Sequence, residues 1–456
     1  MSWQTLLRRH EQQFVDELVE FCRIPSVSTT PEHAGDVTAA ANWVASRMTA
    51  AGLEHVEVVP SAGHPVVYGD WLHAGDAPTV LIYGHFDVQP ANPIDAWTSP
   101  PFQPEVRDGR LYARGASDDK GNMLAPVLTA EAMLAIGALP VNVKFLFEGE
   151  EEIGSPNLPP VFQTHVDRFA CDIVYSADGG QRSEEQPSLT TAFRGICGLH
   201  LIVRGPHSDL HSGIYGGTVN NPALALSEIL ASMRNSQGKV VVEGFYDDIE
   251  PVSEEMQEIV DASPIDNDAY REGLGVPELF REPGYSTRQV SWLRPTLEVD
   301  GMWSGALGDG RRAIVPAEAH AKLSCRLVPD QSPEYVLDCL RRHIEDHTPR
   351  GVTAEVRTIP ISSAAYHMPV GHPGNRVAAN VLADLYGREP LIGLSGGTIA
   401  ILNMFRKYLS AYTVSFAFAL GDENQHGPDE FFRLSSFARA QSAYGQLFEA
   451  LASTSL

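Results

Sequence analysis

Basic residues are scarce in this 456-residue chain: 33 Lys and Arg stand against 58 Asp and Glu, a formal net charge of −25. A phosphate-binding face would have to be built against that field, so the balance speaks against nucleic acid and anionic membranes as partners. No run approaches the roughly 18 apolar residues of a membrane span, and "MSWQTLLRRHEQQF" lacks the apolar centre of a secretory leader. Cysteine is sparse as well. Cys22, Cys171, Cys197, Cys325 and Cys339 are scattered with no C-x-x-C pair, which fits packing thiols in a reducing cytoplasm rather than a disulfide frame. Repeats and low-complexity tracts are lacking too. What is present is an ordinary globular composition, 43% hydrophobic, in a chain long enough for two or three domains.

The order of elements divides the chain. Helical spacing predicts helices over 4–23, 35–51 and 120–137, and strands over 55–59, 65–72, 79–84, 141–147 and 172–177. Alternation of this kind predicts an α/β layer with a mixed, largely parallel sheet. Near residue 190 the character changes. Strands at 195–205, 319–328 and 353–359, with helices at 220–233 and 333–347, suit a small two-layer α+β domain. The stretch 244–292, rich in Asp, Glu and Pro, reads as a long excursion within it. After about 370 the first pattern returns, with helices at 375–386 and 397–407, a strand at 412–420 and a last helix from about 431. The expectation is one catalytic α/β domain, 1–190 and 371–456, interrupted by an inserted domain over 191–370.

Several predicted strands end in the same chemistry. "TVLIYGHFDVQP" delivers His85 and Asp87, "FEGEEEIGS" delivers Glu148, Glu150, Glu151 and Glu152, "SADGG" delivers Asp178, and "GDENQHGPDE" delivers His426. "YARGASDDKG" places Asp118 and Asp119 just before a helix. In open α/β sheets the crevice beyond the carboxyl ends of the strands is the binding site, so these groups are expected to converge. Several carboxylates in one cleft cannot all stay ionised without a counter-cation, and Arg114 and Lys120 are the only basic residues close by in sequence. Two divalent ions would balance three carboxylates, and imidazole with carboxylate suits zinc, with manganese or cobalt as alternatives. A glutamate beside a ligand glutamate is then placed to take a proton from water.

These motifs, with "DLHSGIYGG" and "SCRLVP" further on, resemble the co-catalytic two-zinc metallopeptidases that include carnosine dipeptidase, carboxypeptidase G and aminoacylase, and the dipeptidase branch most of all. The resemblance spans nearly the whole chain. It implies that His85, Asp118, Glu152, Asp178 and His426 hold two metal ions, with Asp118 bridging them and the Asp118–Asp119 peptide cis. It implies that Asp87 orients the His85 ring and that Glu151 is the general base. The inserted domain would be a lid that also makes a homodimer. There His211 would polarise the scissile carbonyl, from its own subunit or the partner's. Arg326 would clamp the substrate's carboxylate, helped by Thr398 and Gly397. The implied activity is hydrolysis of dipeptides or short peptides with a free C-terminal carboxylate, in the cytoplasm. An N-acyl-amino-acid deacylase using the same metal site is the alternative.

Taken singly, each motif has a plainer reading. An H-x-D is commonly a surface turn, an acidic run a solvated face, and a "DD" before a helix an N-cap. His211 alone would be a hydrogen-bonded structural histidine, and Arg326 an exposed rung of a strand. It is their joint order that carries the metallopeptidase reading. A rival comes from "GLSGG" (393–397), which matches a nucleophile elbow, with Asp422 and His426 following in serine-hydrolase order. That rival puts both partners on one short loop. A third possibility is a non-catalytic protein on the same fold.

Overall fold

The strands that end in candidate ligands form the buried middle of one sheet. In the computed structural model, which describes residues 1–308, 310 and 312–456, the six strands lie in the order Glu54–Val59, Val66–Trp71, Asn142–Glu148, Thr79–His85, Ile173–Ser176, Thr413–Ser415. The last four run parallel, and the first two add antiparallel neighbours at one side. The fold is therefore mixed α/β with a mainly parallel central sheet, as the alternation predicts. The apolar run "VLIY" is buried throughout, as a strand covered on both faces requires.

Register fixes where the strands stop. His85 pairs with Glu148 and Tyr83 with Ser176, so three parallel strands end nearly level. Helix Gly121–Leu134 starts beside that edge and is buried along almost its whole length, packed against Leu434–Leu451. A close approach at Gly84 makes this possible. A methyl group there would lie 2.7 Å from both Asp119 Oδ2 and Met123 Cβ.

The chain divides into two compact units. The first comprises Met1–Thr191, Met368–Ile392 and Met404–Leu456, the second Ala192–His367 and Gly393–Asn403. The second unit has a four-stranded antiparallel sheet in the order Thr296–Ser304, Glu318–Leu327, Gly195–Arg204, Thr353–Ser363. Alternate residues such as Leu199, Leu201, Leu323 and Cys325 face helices Pro222–Ser232 and Pro333–His347 and make its core. The intervening set, which includes His200, Lys322 and Arg326, lies on the other face.

Some elements differ from the sequence reading. The first helix breaks at His10 into Trp3–Arg9 and Glu11–Cys22. The expected strand 412–420 splits into Thr413–Ser415 and Ala419–Leu420, because the backbone between them is claimed elsewhere. Phe416 donates to the Ser176 carbonyl, Phe418 donates to Asn122 Oδ1, and the Ala417 carbonyl accepts from Gln181. Helix 397–407 shortens to Ala400–Met404 followed by a wider turn, Phe405–Leu409. The segment 393–403 belongs with the second unit, whose Arg194 holds the Gly396 carbonyl and whose Ala364 carbonyl accepts from Asn403. Strand Thr296–Ser304 was not anticipated. Its register shift between Val299 and Gly301 breaks the two-residue alternation that marks a strand. All five cysteines are free, and among the described residues no helix is long and apolar enough to cross a membrane.

Candidate metal centre

Asp118 is the pivot of the strand-end cluster. Its Oδ1 lies 3.1 Å from His85 Nε2 and its Oδ2 lies 2.9 Å from His426 Nε2. Two groups of donor atoms share it. His85, Asp118 and Asp178 form one, and Asp118, Glu152 and His426 form the other, with ligand atoms within 4.8 Å of one another in each. His426 Nε2 is 3.4 Å from Glu152 Oε2. The Asp118–Asp119 peptide is cis, and His426 holds a left-handed backbone at φ 62° on an exposed loop. Such a conformation is costly for a residue with a side chain and tends to survive where a site demands it.

The donor set fits a cation on chemical grounds. His85 Nδ1 sits 3.1 Å from the Asp87 carbonyl, which only accepts, so Nδ1 carries the hydrogen. In the neutral ring Nε2 is then a lone pair facing a carboxylate oxygen. That contact is repulsive unless a proton or a metal lies on it. The charge balance says the same. Burial pushes Asp178 up to about 6 and Glu152 up to about 7, with Asp118 adding to both. Burial, then the Asp178, Glu152 and Asp118 carboxylates, hold Glu151 well above the usual range against the opposing pull of His85. Burial alone would depress His85, yet Asp118 and Asp87 carry it well above its ordinary value. A cluster in which carboxyls must take up protons lacks positive charge, and divalent cations on the Asp118 pivot would supply it.

The two nearby basic side chains do not supply it. Arg114 is spent on Glu430, Nη1 to Oε2 at 2.6 Å, with both groups buried. Lys120 Nζ donates to the Phe21 and Ile24 carbonyls at 3.2 and 2.7 Å, at the end of helix Glu11–Cys22.

Among the four glutamates at the end of strand Asn142–Glu148 and just beyond it, hydrogen bonds sort the roles. Glu148 accepts from the Tyr83 hydroxyl at 2.7 Å inside the core. Glu150 accepts from the His64 amide at 2.6 Å and from the Asn157 amide and side chain, and so holds the turn together. Glu152 is met by Gln89 Nε2 at 2.8 Å. Glu151 alone of the four has no hydrogen-bonded carboxyl among the described residues, and it is half-buried. Asp87 links the two halves of the site. Its carboxylate oxygens accept the amides of Glu151 and Glu152, both at 3.1 Å, while Oδ1 stays 3.5 Å from His85 Nδ1. Through its carboxylate Asp87 holds the turn that carries Glu151, and through its backbone carbonyl it meets the His85 ring.

Glu430 escaped the sequence reading. Fully buried, it accepts from Arg114 and from the amides of Gly115, Ser117 and Asp118 at 2.9, 3.0 and 3.1 Å. Arg114 also donates to the Pro90 and Gly427 carbonyls. One ion pair thus ties together the segments that follow His85, precede Asp118 and follow His426. Its only sequence signal was an acid four residues past His426.

The remaining predicted residues belong to the second unit. His211 is exposed at the end of the short strand Leu210–His211, and its Nδ1 accepts from the Gly213 amide at 3.0 Å. That bond leaves the hydrogen of a neutral ring on Nε2, which is then a donor. Arg326 Nη1 donates to Thr398 Oγ1 at 2.8 Å, and Thr398 donates on to the Arg194 carbonyl at 2.6 Å. The Gly397 amide bonds Ser395 Oγ at 3.0 Å. Ser395 is thus occupied in its own turn, Asp422 is gripped twice by Arg433 at 2.9 and 2.6 Å, and His426 faces Asp118. Among the described residues the acids that meet His426 are the candidate metal ligands Asp118 and Glu152 rather than Asp422, and the serine-hydrolase reading falls.

Comparison with known proteins agrees with this chemistry. The chain is 28% identical to the Cys-Gly metallodipeptidase dug1 of Schizosaccharomyces pombe, covering 99% of this chain and 98% of that one. It is 28% identical to the human Beta-Ala-His dipeptidase over 92% of this chain and 86% of that one. Among solved structures, an M20 family metallo-carboxypeptidase from Sulfolobus solfataricus superposes with a TM-score of 0.88 at 30% identity, over 96% of this chain and 99% of that one. The model of peptidase family M20/M25/M40 matches residues 81–450, a span that contains every candidate metal ligand. With an aspartate pivot between two imidazoles and an unpaired glutamate beside it, the chain belongs to peptidase family M20/M25/M40.

Proposed function

We propose that this chain is a metal-dependent dipeptidase or short-peptide carboxypeptidase that acts on substrates with a free C-terminal carboxylate. The observation that carries the reading is Asp118 shared between two histidine–carboxylate groups, with Glu151 beside it unpaired. The relatives named above are dipeptidases and a carboxypeptidase, which favours a peptide over an N-acyl amino acid as substrate.

His85, Asp118 and Asp178 would hold one ion and Asp118, Glu152 and His426 the other, zinc being the first candidate. When bound, such ions polarise a carbonyl and make water acidic enough to attack at neutral pH. Glu151 accepts the proton of the attacking water and returns it to the leaving amine. Asp87 fixes the backbone on which Glu151 stands. His211 donates from Nε2 to the developing oxyanion, and Arg326, steadied by Thr398 and the turn at Gly397, holds the substrate carboxylate. A homodimer formed through the second unit, and a place in the cytoplasm, complete the proposal.

The test is Glu151→Gln in the metal-reconstituted protein. Metal content by elemental analysis stays at the wild-type level, and dipeptide turnover falls by about 10²–10⁴-fold, the usual weight of a general base. Wild-type turnover in that variant would overturn the mechanism.

A further inference from the structure

The excursion at 244–292 is the part of the chain to which neither motif nor mechanism gave a task. It folds into short helices, including Asn267–Leu274 and Thr287–Leu293, and with the adjoining sheet it borders an open cavity of about 560 Å³. That is the size of a small-molecule site. Tyr270, Leu274, Val276, Phe280 and Val290 make its apolar wall. Phe280 is 68% exposed, Leu274 55% and Tyr270 42%. Scattered exposed apolar residues need no explanation, but three large ones on one cavity wall mark a surface awaiting a ligand.

The same cavity is lined by Arg194 and Arg326. Among the described residues no carboxylate lies within ion-pair distance of either guanidinium. Arg194 spends Nε on the Gly396 carbonyl at 3.0 Å and Nη1 on the Arg294 carbonyl at 3.1 Å, and Arg326 spends Nη1 on Thr398. Burial and then the neighbouring Arg326 lower the pKa of Arg194 to about 10. Glu298 acts on Arg194 and Asp300 on Arg326 only through space, so two guanidiniums outside any direct ion pair, with donors to spare, offer a place for an anion. Glu278 and Glu298 also line the cavity, and Glu298 has its own cation in Arg234 at 3.9 Å.

A ligand that satisfies both parts has a carboxylate with an apolar group close to it. We propose that this cavity is the pocket for the side chain of the substrate's C-terminal residue, and that it selects large aliphatic or aromatic side chains over glycine. The proposal rests on the reading of Arg326 as the carboxylate clamp. In a C-terminal residue the side chain leaves the carbon that bears the carboxylate, so a carboxylate on Arg326 puts that side chain within reach of the apolar wall. Arg194 is a positioning residue here. Its side chain fixes Gly396, and its carbonyl receives the Thr398 hydroxyl that orients Arg326.

The test uses the full-length, metal-reconstituted protein and the series Ala-Gly, Ala-Ala, Ala-Leu and Ala-Phe, with Ala-Leu amide alongside. Calorimetric binding of free leucine and free glycine supplies a readout without turnover. The proposal expects kcat/KM to rise on the order of 10- to 100-fold from Ala-Gly to Ala-Leu and Ala-Phe. It expects leucine to bind more tightly than glycine, and both preferences to fall at least tenfold in Leu274→Glu and in Phe280→Asp. Both substitutions are at exposed positions, so the variants fold, which their thermal melts check. A flat series in which the amide is inert overturns the pocket and leaves the Arg326 clamp standing. Equal turnover of Ala-Leu and its amide overturns the clamp and the pocket with it. Equal binding of leucine and glycine, or a preference that survives both variants because another surface such as a second copy covers the wall, also overturns the pocket.

Discussion

Replacing Glu430 by Gln isolates the device that holds the candidate metal ligands in register. The change keeps the size and one carbonyl oxygen but removes the charge opposite Arg114, which is 1% exposed and bonded to Glu430 at 2.6 Å. Breaking a buried ion pair by removing one partner costs about 3–5 kcal/mol, because the other charge stays buried and unpaired. The three amides of Gly115, Ser117 and Asp118 also lose a carboxylate acceptor, and at least one of them must face the new NH₂ group instead. At roughly 2–4 °C per kcal/mol for a domain of this size, the thermal midpoint of the first unit should fall by about 6–20 °C. The assay is a thermal melt of the metal-free protein by circular dichroism, paired with a titration of Zn²⁺ into the folded variant. Because Gly115, Ser117 and Asp118 carry the pivot, zinc affinity should fall alongside stability. The double variant Arg114→Met/Glu430→Gln should recover part of the lost stability, since it no longer buries a lone charge. A drop in midpoint below about 2 °C with unchanged zinc affinity would refute the claim that this pair organises the site.

Four further outcomes follow from the same geometry. His211→Ala should lower kcat by about 10²–10³-fold, the weight of an oxyanion donor, while metal content stays at the wild-type level; loss of metal in proportion to activity would contradict the role given to Nε2. Arg326→Lys should raise KM for dipeptides at least tenfold, because an ammonium cannot reproduce the guanidinium's bond to Thr398 while gripping a carboxylate, and an unchanged KM would remove the clamp. Leu323→Ala in the core of the second unit should cost about 2–5 kcal/mol, read as a shift of the denaturant midpoint, since Leu323 is fully buried between sheet and helices. Burial, with His347 stacked at 3.9 Å, depresses the pKa of His343 below its ordinary 6.5, against the pull of Asp346. The unfolded chain then takes up that proton first, so stability present above about pH 6.5 is lost as pH falls through this value toward the folded pKa. His343→Gln should therefore show a smaller loss of thermal midpoint between about pH 7.5 and 5.5 than the wild type, and an equal loss would show that His343 does not contribute.

The convergence of the candidate metal ligands was legible because these side chains sit where strands end, and strand ends are visible in sequence as an apolar run giving way to glycine and acid. "LIYGHFD" and "VYSADGG" announce both the strand and its cargo. The glutamates were less legible. "EGEEE" offers four identical groups, and only hydrogen bonding distinguishes Glu148 in the core and Glu150 in the turn from Glu151 and Glu152. Glu430 and Arg114 were invisible as a pair because 316 positions separate them. The strand at Thr296–Ser304 was hidden by a bulge, and the split of 412–420 by side chains of Asn122 and Gln181 that claim its backbone from far away in the chain.

The sequence by itself determined the alternation of strand and helix, the excess of acid, and the kinds of donor available. Those are local properties, set by which side chains follow one another. Tertiary structure decided which carboxylates are shared, which are already neutralised and which remain unpaired, because burial and opposite charge reach each group from segments hundreds of residues away. Asp118 became a pivot only when two histidines, one 33 residues before it and one 308 residues after it, met its two oxygens.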